Sequence, residues 1–222
     1  MTRTRFLIRD GYARYQGPVA GASRHRHAAY QLAIGAEVTM IDDAGVEHHG
    51  PALVVPPMTW HRLLPCTDLL TYFIEPQSVF ADAFRTYTTI TTLSAPPEEL
   101  SWEATGAGRV DSRLVAAMEL VVAEPGLGMG EVAGRVGLSG ARLRAVAREG
   151  LGMSLARWRV WARLRRAAEE LAAGRSLAEA AVVAGFSDQA HLSRWMREMM
   201  GLTPREVLPA LRGTPSAPRS NR

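Results

Sequence analysis

The side chains best suited to chemistry fall into two groups, one in each half of the chain. In the first half His25 and His27 alternate, and alternate residues of a strand project to the same face. With further donors alongside, two such imidazoles could hold a divalent ion with coordination positions left open, or could line a pocket for an organic ligand without metal. His48 and His49 are adjacent rather than alternate and read as the polar end of a strand. Cys66 is the only cysteine, which excludes an internal disulfide and a thiolate-rich metal cluster. In the second half the polar groups are Arg142, Arg144 and Arg148, then Gln189, His191, Ser193, Arg194 and Arg197. Gln matches the major-groove edge of adenine and Arg that of guanine, each good bidentate contact giving roughly 1–3 kcal/mol of discrimination.

The elements that must position these groups follow from composition and periodicity. The chain has 222 residues, 47% hydrophobic and 22% charged, enough for one large or two small domains. Its basic residues are all Arg. Residues 1–110 carry a net charge of −2 and residues 111–222 a net charge of +6, so the second half is the expected polyanion binder. No run of about 18 apolar residues is present and the first residues, MTRTRFLIRDGYARYQG, lack the apolar core of an export signal, so a cytoplasmic protein is expected.

Residues 30–34, 37–41, 52–55 and 69–74 form short strand-like runs, with Asp42-Asp43-Ala44-Gly45 as a hairpin turn. They predict a small β-barrel or sandwich. A helix is expected over 78–87, with Phe80, Ala83, Phe84 and Tyr87 as either a dimer contact or packing on their own barrel. Residues 94–110 read as a linker. From Asp111 the pattern turns helical, with Leu114, Met118, Val121 and Val122 on one face and Pro125-Gly126 as the stop.

The second half repeats. Glu131, Ala133, Gly137 and Ser139 match Glu179, Ala181, Gly185 and Ser187 at an offset of 48, and Leu143, Arg148, Glu149 and Gly152 match Leu192, Arg197, Glu198 and Gly201 at 49. Each copy reads as a short helix, a turn through a left-handed Gly, a Ser cap and a second helix ending at Gly, the grammar of a helix-turn-helix. Val136 with Leu138, and Val183 with Phe186, are the expected inner side. A helix capped by Ser154 and ending at Ala173-Gly174 joins the copies, with Trp158 on its apolar stripe. At about 28 Å it can hold two recognition helices near one DNA turn apart.

These residues resemble the DNA-binding domain of AraC/XylS-type transcriptional regulators. The resemblance rests on Ala184-Gly185-Phe186-Ser187-Asp188-Gln189, His191-Leu192-Ser193-Arg194 and Gly201-Leu202-Thr203-Pro204, and more loosely on the first copy. Leu192 and Met196 stand where the family usually has Phe. The resemblance implies groove-facing positions at Ala141, Arg144 and Ala145 in a first recognition helix (about 139–149) and at Gln189, Ala190, Ser193 and Arg194 in a second (about 188–199). Arg148 and Arg197 fall at its repeated backbone-contacting positions, and Arg142 joins the exposed face. An Ala methyl can touch thymine but forms no hydrogen bond, so the first helix should read fewer bases.

In the first half, His25, His27 and Gln31, with Gly50 to Pro56 and His61, resemble the two short motifs of the cupin barrel. That resemblance implies a candidate ligand set of His25, His27, Gln31 and His61 for a divalent metal, with a metal-free ligand pocket as the alternative. Met58 and Pro65 depart from the pattern. The expected fold is α+β: a cupin-like barrel (1–93), a linker (94–110), an all-α domain with two helix-turn-helix units (111–212) and a disordered tail (213–222). The implied function is a regulator binding a double-stranded DNA operator under control of a small-molecule effector or metal. A homodimer is implied, as is contact with RNA polymerase if the protein activates. The rival reading is a metal-dependent cupin enzyme with an accessory helical domain.

Overall fold

The structure, a computed structural model, describes residues 4–97 and 108–212. Most of the expected linker and the whole expected tail lie outside the described residues. Eight strands come first: β1 (Arg5–Arg9), β2 (Tyr12–Val19), β3 (Ala22–His25), β4 (Tyr30–Asp42), β5 (Glu47–Val55), β6 (His61–Leu63), β7 (Cys66–Ile74) and β8 (Thr91–Leu93). All pairings are antiparallel, in the order β1-β2-β7-β4-β5-β8, with β6 bridging β3 and β4.

The two runs at 30–34 and 37–41 are one strand. A bulge between Ile34 and Val38 bends β4. Before the bend it pairs with β7, and after it with β6, while β5 follows along its other edge. The sheet rolls up as a result, but β1 and β8 do not pair, so it is an open roll and the expected closed barrel is corrected on this point. Both faces are covered. Ala33, Val38, Leu53, Val55 and Leu69 fill the inside of the roll, whereas Tyr30, Leu32, Ala52, Val54 and Ile74 pack outside against Phe80 and Phe84. The helix expected over 78–87 is a single 3-10 turn, Val79–Ala83. Because Phe80 and Phe84 are buried on their own sheet, they offer no aromatic face to a second copy.

Seven helices follow: α1 (Ser112–Ala123), α2 (Met129–Arg135), α3 (Gly140–Leu151), α4 (Leu155–Ala172), α5 (Leu177–Val183), α6 (Gln189–Met200) and α7 (Pro204–Arg212). Leu114, Met118 and Val121 of α1 are buried as their spacing requires, while Val122 is exposed. Gly137 and Gly185 adopt φ of +68° and +80°, the left-handed turns that the repeat demands. Leu138 and Phe186 are buried beneath those turns. Val136 is half-buried and Val183 is 44% exposed, so Val183 is no part of the inner side.

Ser139 and Ser154 cap α3 and α4 as read, accepting from the N–H groups of Arg142 and Arg157. The cap of α6 is Asp188, not Ser187: its carboxylate accepts from His191 N at 2.7 Å. Ser139 and Asp188 stand 49 apart while Leu138 and Phe186 stand 48 apart, so Ser187 is the extra residue of the second copy. Its hydroxyl meets the His191 ring. Among the described residues no helix is long and apolar enough to cross a membrane.

The roll and the helices share a core. Ala28, Ala29 and Phe73 join Leu143, Trp158, Trp161, Phe186 and Leu192 in one buried cluster, and Phe6 of β1 packs with Leu171, Ala180 and Leu211. Arg165 of α4 reaches across to Glu75 (2.8 Å) and the carbonyl of Arg9 (2.9 Å), and Arg85 reaches Gly150 O on α3 (3.3 Å).

Candidate functional site

Two constructions carry chemistry, a basic helical surface and a buried histidine centre beside it. On the surface, Ala141, Arg142, Arg144, Ala145 and Arg148 of α3 and Gln189, Ala190, Arg194 and Arg197 of α6 are all exposed, and Ser193 is half-exposed. Leu143, Val146 and Ala147, and Leu192, Met196 and Met199, turn into the core, so the helical period separates a packed face from a polar one. Arg113, Arg135, Arg157, Arg165, Arg166 and Arg175 are each paired with a carboxylate. The side chains of Arg142, Arg144, Arg148, Arg194 and Arg197 make no ion pair or hydrogen bond among the described residues, leaving their guanidinium forks available to a polyanion. The Ser193 hydroxyl donates to Gln189 O (2.7 Å), which leaves it an acceptor toward the solvent side. Trp158 and Trp161 are both buried, so neither stacks on a base.

The histidine centre lies where the roll meets α6. His25 of β3 and His61 of β6 are directly opposed partners, and Gln31 comes from the start of β4. His27 sits past the end of β3, in the loop that leads to β4. The expected strand alternation with His25 is therefore corrected, yet the ring still converges, with ring centroids 5.7 Å from His25 and 5.1 Å from His61. One ring nitrogen of each histidine lies within 4.8 Å of those of the others, and all three residues are buried. Each Nδ1–H donates to a main-chain carbonyl: His25 to Ser23 (2.7 Å), His27 to Ala29 (2.8 Å) and His61 to Thr59 (3.0 Å). Gln31 Oε1 lies 2.9 Å from His27 Nε2 and 3.1 Å from His61 Nε2, while Gln31 Nε2 donates to Thr71 Oγ1 at 3.2 Å. His48 stands apart, bonded to Asp42, and His49 is exposed on β5.

Burial, and then the neighbouring His27, bring His25 down to about 3 from the ordinary histidine value of 6.5. Burial also lowers His27, and holds His61 well below that value with help from its neighbours. Between pH 6.5 and about 3 the unfolded chain therefore binds protons that the folded chain refuses, and stability must fall as the pH drops through this window. Each such histidine contributes up to about 1.4 kcal/mol per pH unit. Urea midpoints of chelator-treated protein should drop steeply between pH 7 and pH 5; midpoints that stay level would contradict neutral buried imidazoles.

Sequence reasoning missed several residues that complete this region. Thr71 holds the Gln31 amide. Ser23 donates from both N (3.1 Å) and Oγ (2.9 Å) to Gly201 O, and Arg26 N donates to Glu198 O (3.4 Å). These bonds tie the end of α6 to the strand carrying His25. Gly201 carried a signal, but one read only as a helix stop.

An open β-roll is joined here to two helix-turn-helix units, the architecture of a DNA-binding domain carried beside a second domain. Residues 113–209 match the family model described as a helix-turn-helix domain, of the AraC type. No curated protein matches the chain. Among solved structures, ToxT from Vibrio cholerae O395 superposes with a TM-score of 0.62 at 10% identity, covering 92% of this chain and 100% of that one. Unsaturated fatty acid-bound ToxT from Vibrio cholerae strain SCE256 gives 0.60 at 11% identity, over 96% and 99%. An AraC-type regulator from Chromobacterium violaceum aligns over 46% of this chain and 92% of its own, at 28% identity and a TM-score of 0.42. The order of roll and helices is thus the ToxT fold.

Proposed function

We propose that this regulator reads duplex DNA by placing α3 and α6 in successive major grooves and that the roll is its effector domain. The observation that carries the reading is the set of guanidinium groups without a carboxylate partner on the outer faces of the two helices, whereas Arg113, Arg135, Arg157, Arg165, Arg166 and Arg175 are each held by one. The 18 residues of α4 support it, since a helix of that length spans about 27 Å and holds the two readers a fixed distance apart. On α6, Gln189, Ser193 and Arg194 face base edges and Arg197 a phosphate. On α3, Arg144 reads a base, Arg142 and Arg148 contact the backbone, and Ala141 and Ala145 offer only methyl groups. Sequence preference is accordingly concentrated in the half-site under α6.

For the effector, a cavity of about 250 Å³ runs between the roll and the α6–α7 turn, lined by Phe6, Phe73, Met200 and Val207, with His25, Gln31 and Thr71 at its polar end. A solved ToxT holds an unsaturated fatty acid. In this chain the cavity suits a small, largely apolar molecule, and its occupant touches both domains. An effector shifts DNA reading only by binding two arrangements of these domains unequally.

The test is gel-shift titration at several salt concentrations with a duplex selected from a random-sequence pool. Arg194→Ala should weaken binding roughly 10- to 100-fold and relax the preference at one base pair. Arg197→Ala should weaken all sequences alike and reduce the salt slope by about one. Unchanged affinity and preference in Arg194→Ala would rule out the placement of α6.

A further inference from the structure

The first 110 residues carry a net charge of −2, yet one stretch of the roll's outer surface is strongly basic. In β3 the side chain of His25 is buried while Arg24 is exposed, and Arg26, just past the strand, is half-buried. In β6 His61 and Leu63 are buried and Arg62, between them, is exposed. The bond from Met58 N to His27 O (2.8 Å) draws the turn before β6 against the end of β3, and Trp60 follows that turn. Both arginines stack on its indole: the guanidinium carbon of Arg24 lies 3.8 Å from the ring centre and that of Arg26 4.5 Å.

Among the described residues a single carboxylate answers these three charges, that of Asp43, paired with Arg24. Arg26 and Arg62 make no ion pair there, and Arg26 Nε is shut from solvent without an acceptor. A guanidinium so placed has given up hydration that no partner replaces. It therefore gains more from an anion at its open edge than a fully solvated arginine does. The indole keeps the fork in place: contact with the ring face fixes the guanidinium plane, so less side-chain entropy is lost when a phosphate arrives.

This surface adjoins α6. Ser23 bonds to Gly201 O through both N and Oγ, and Arg26 N bonds to Glu198 O, so the segment bearing Arg24 and Arg26 runs against the last turn of that helix. Arg197, one residue before Glu198, is exposed. We infer that Arg26 and Arg62, mounted beside Trp60, bind phosphates of the duplex just outside the segment read by α6, so that the roll is itself part of the DNA-binding surface. Arg24, tied to Asp43, steadies the ring. The inference rests on the placement of α6 in a major groove, and it adds contacts from the other domain that position the duplex and carry no base preference.

Gel shifts of the full chain compare the selected duplex, cut flush with its recognised site, with versions extended by about ten base pairs, one helical turn, at either end. The end beneath α6 is the one whose base preference relaxes in Arg194→Ala. Extension there should make the salt slope steeper by about two, close to one for each phosphate contact; extension at the α3 end should leave it unchanged. Arg26→Ala combined with Arg62→Ala should erase the gain and keep the base preference. Arg62→Glu, an exposed change that spares the fold, should remove at least half of it, and Arg194→Ala should weaken every length alike with the gain intact. If the parent shows one salt slope for flush and extended duplexes, or the double variant keeps the gain, the roll makes no phosphate contact and the placement of α6 stands. If the parent binds no duplex from the pool, both fall. No length effect, with a polyglutamate peptide bound by the parent and not by the double variant, would assign the surface to an acidic protein segment and overturn its assignment to DNA.

Discussion

Gly201→Ala should destabilise the protein by about 2 kcal/mol more than Gly152→Ala, although the two glycines occupy the same place in the two repeats. Both end the second helix of a helix-turn-helix unit with a left-handed residue, at φ +73° for Gly152 and +64° for Gly201. An alanine in that conformation costs roughly 1–2 kcal/mol at either position. The surroundings differ. A Cβ on Gly152 would find only Pro57, at 3.7 Å, whereas one on Gly201 would lie 2.4 Å from Ser23 O and 2.7 Å from His25 Nδ1. Neither atom is the loose end of a flexible side chain, so β3 and α6 must part. Separation loses the two bonds from Ser23 to Gly201 O, at about 1 kcal/mol each. Paired urea titrations measure the difference. Equal losses in the two variants would show that the grip of β3 on α6 contributes nothing to stability.

That asymmetry marks where the sequence stops being informative. The tandem helix-turn-helix units were legible because their determinants are local: a left-handed glycine, a cap and a buried residue at fixed offsets recur within each copy. Even the misplaced cap, Ser187 for Asp188, is a local matter of one inserted residue. The central strands were legible from their apolar runs, although two runs proved to be one bent strand. Strands β1, β2, β3, β6 and β8 were not. They are short or carry polar residues at the sheet edge, and only pairing with distant partners holds them extended. The aromatic spacing of Phe80 and Phe84 imitated a helix, but both side chains serve the sheet beneath them. Whether the sheet closes is likewise decided by long-range pairing. At the histidine centre the four ligand candidates could be named from motif resemblance, and they do converge. Thr71, Ser23 and the role of Gly201 could not be named, because each acts through a contact between residues far apart in the chain.

The same holds for the pair that locks the domains, and it sets the second large effect. Arg165→Met should cost about 3–5 kcal/mol, and adding Glu75→Gln to it should restore most of the loss. The Glu75 side chain is only 8% exposed, and besides Arg165 at 2.8 Å it accepts a bond from the Gln77 amide at 2.7 Å. Removing the guanidinium leaves a buried carboxylate with one neutral partner. It also deletes the bond to Arg9 O, which ties α4 to the end of β1. Neutralising the carboxylate removes the stranded charge, and a methionine fills the apolar surroundings provided by Phe73, Trp161 and Leu164. The pair would then be worth little against its neutral replacement while being costly to break from one side, the pattern expected when desolvation nearly cancels attraction. A double-mutant cycle in urea reads the coupling directly. If Arg165→Met stays within about 0.5 kcal/mol of the parent, the ion pair is a surface contact and the shared apolar core alone holds the roll on the helical domain. If the single variants instead unfold in two separate transitions and the double variant in one, a stranded charge at this seam uncouples the two domains, and the neutral replacement docks them as firmly as the ion pair does.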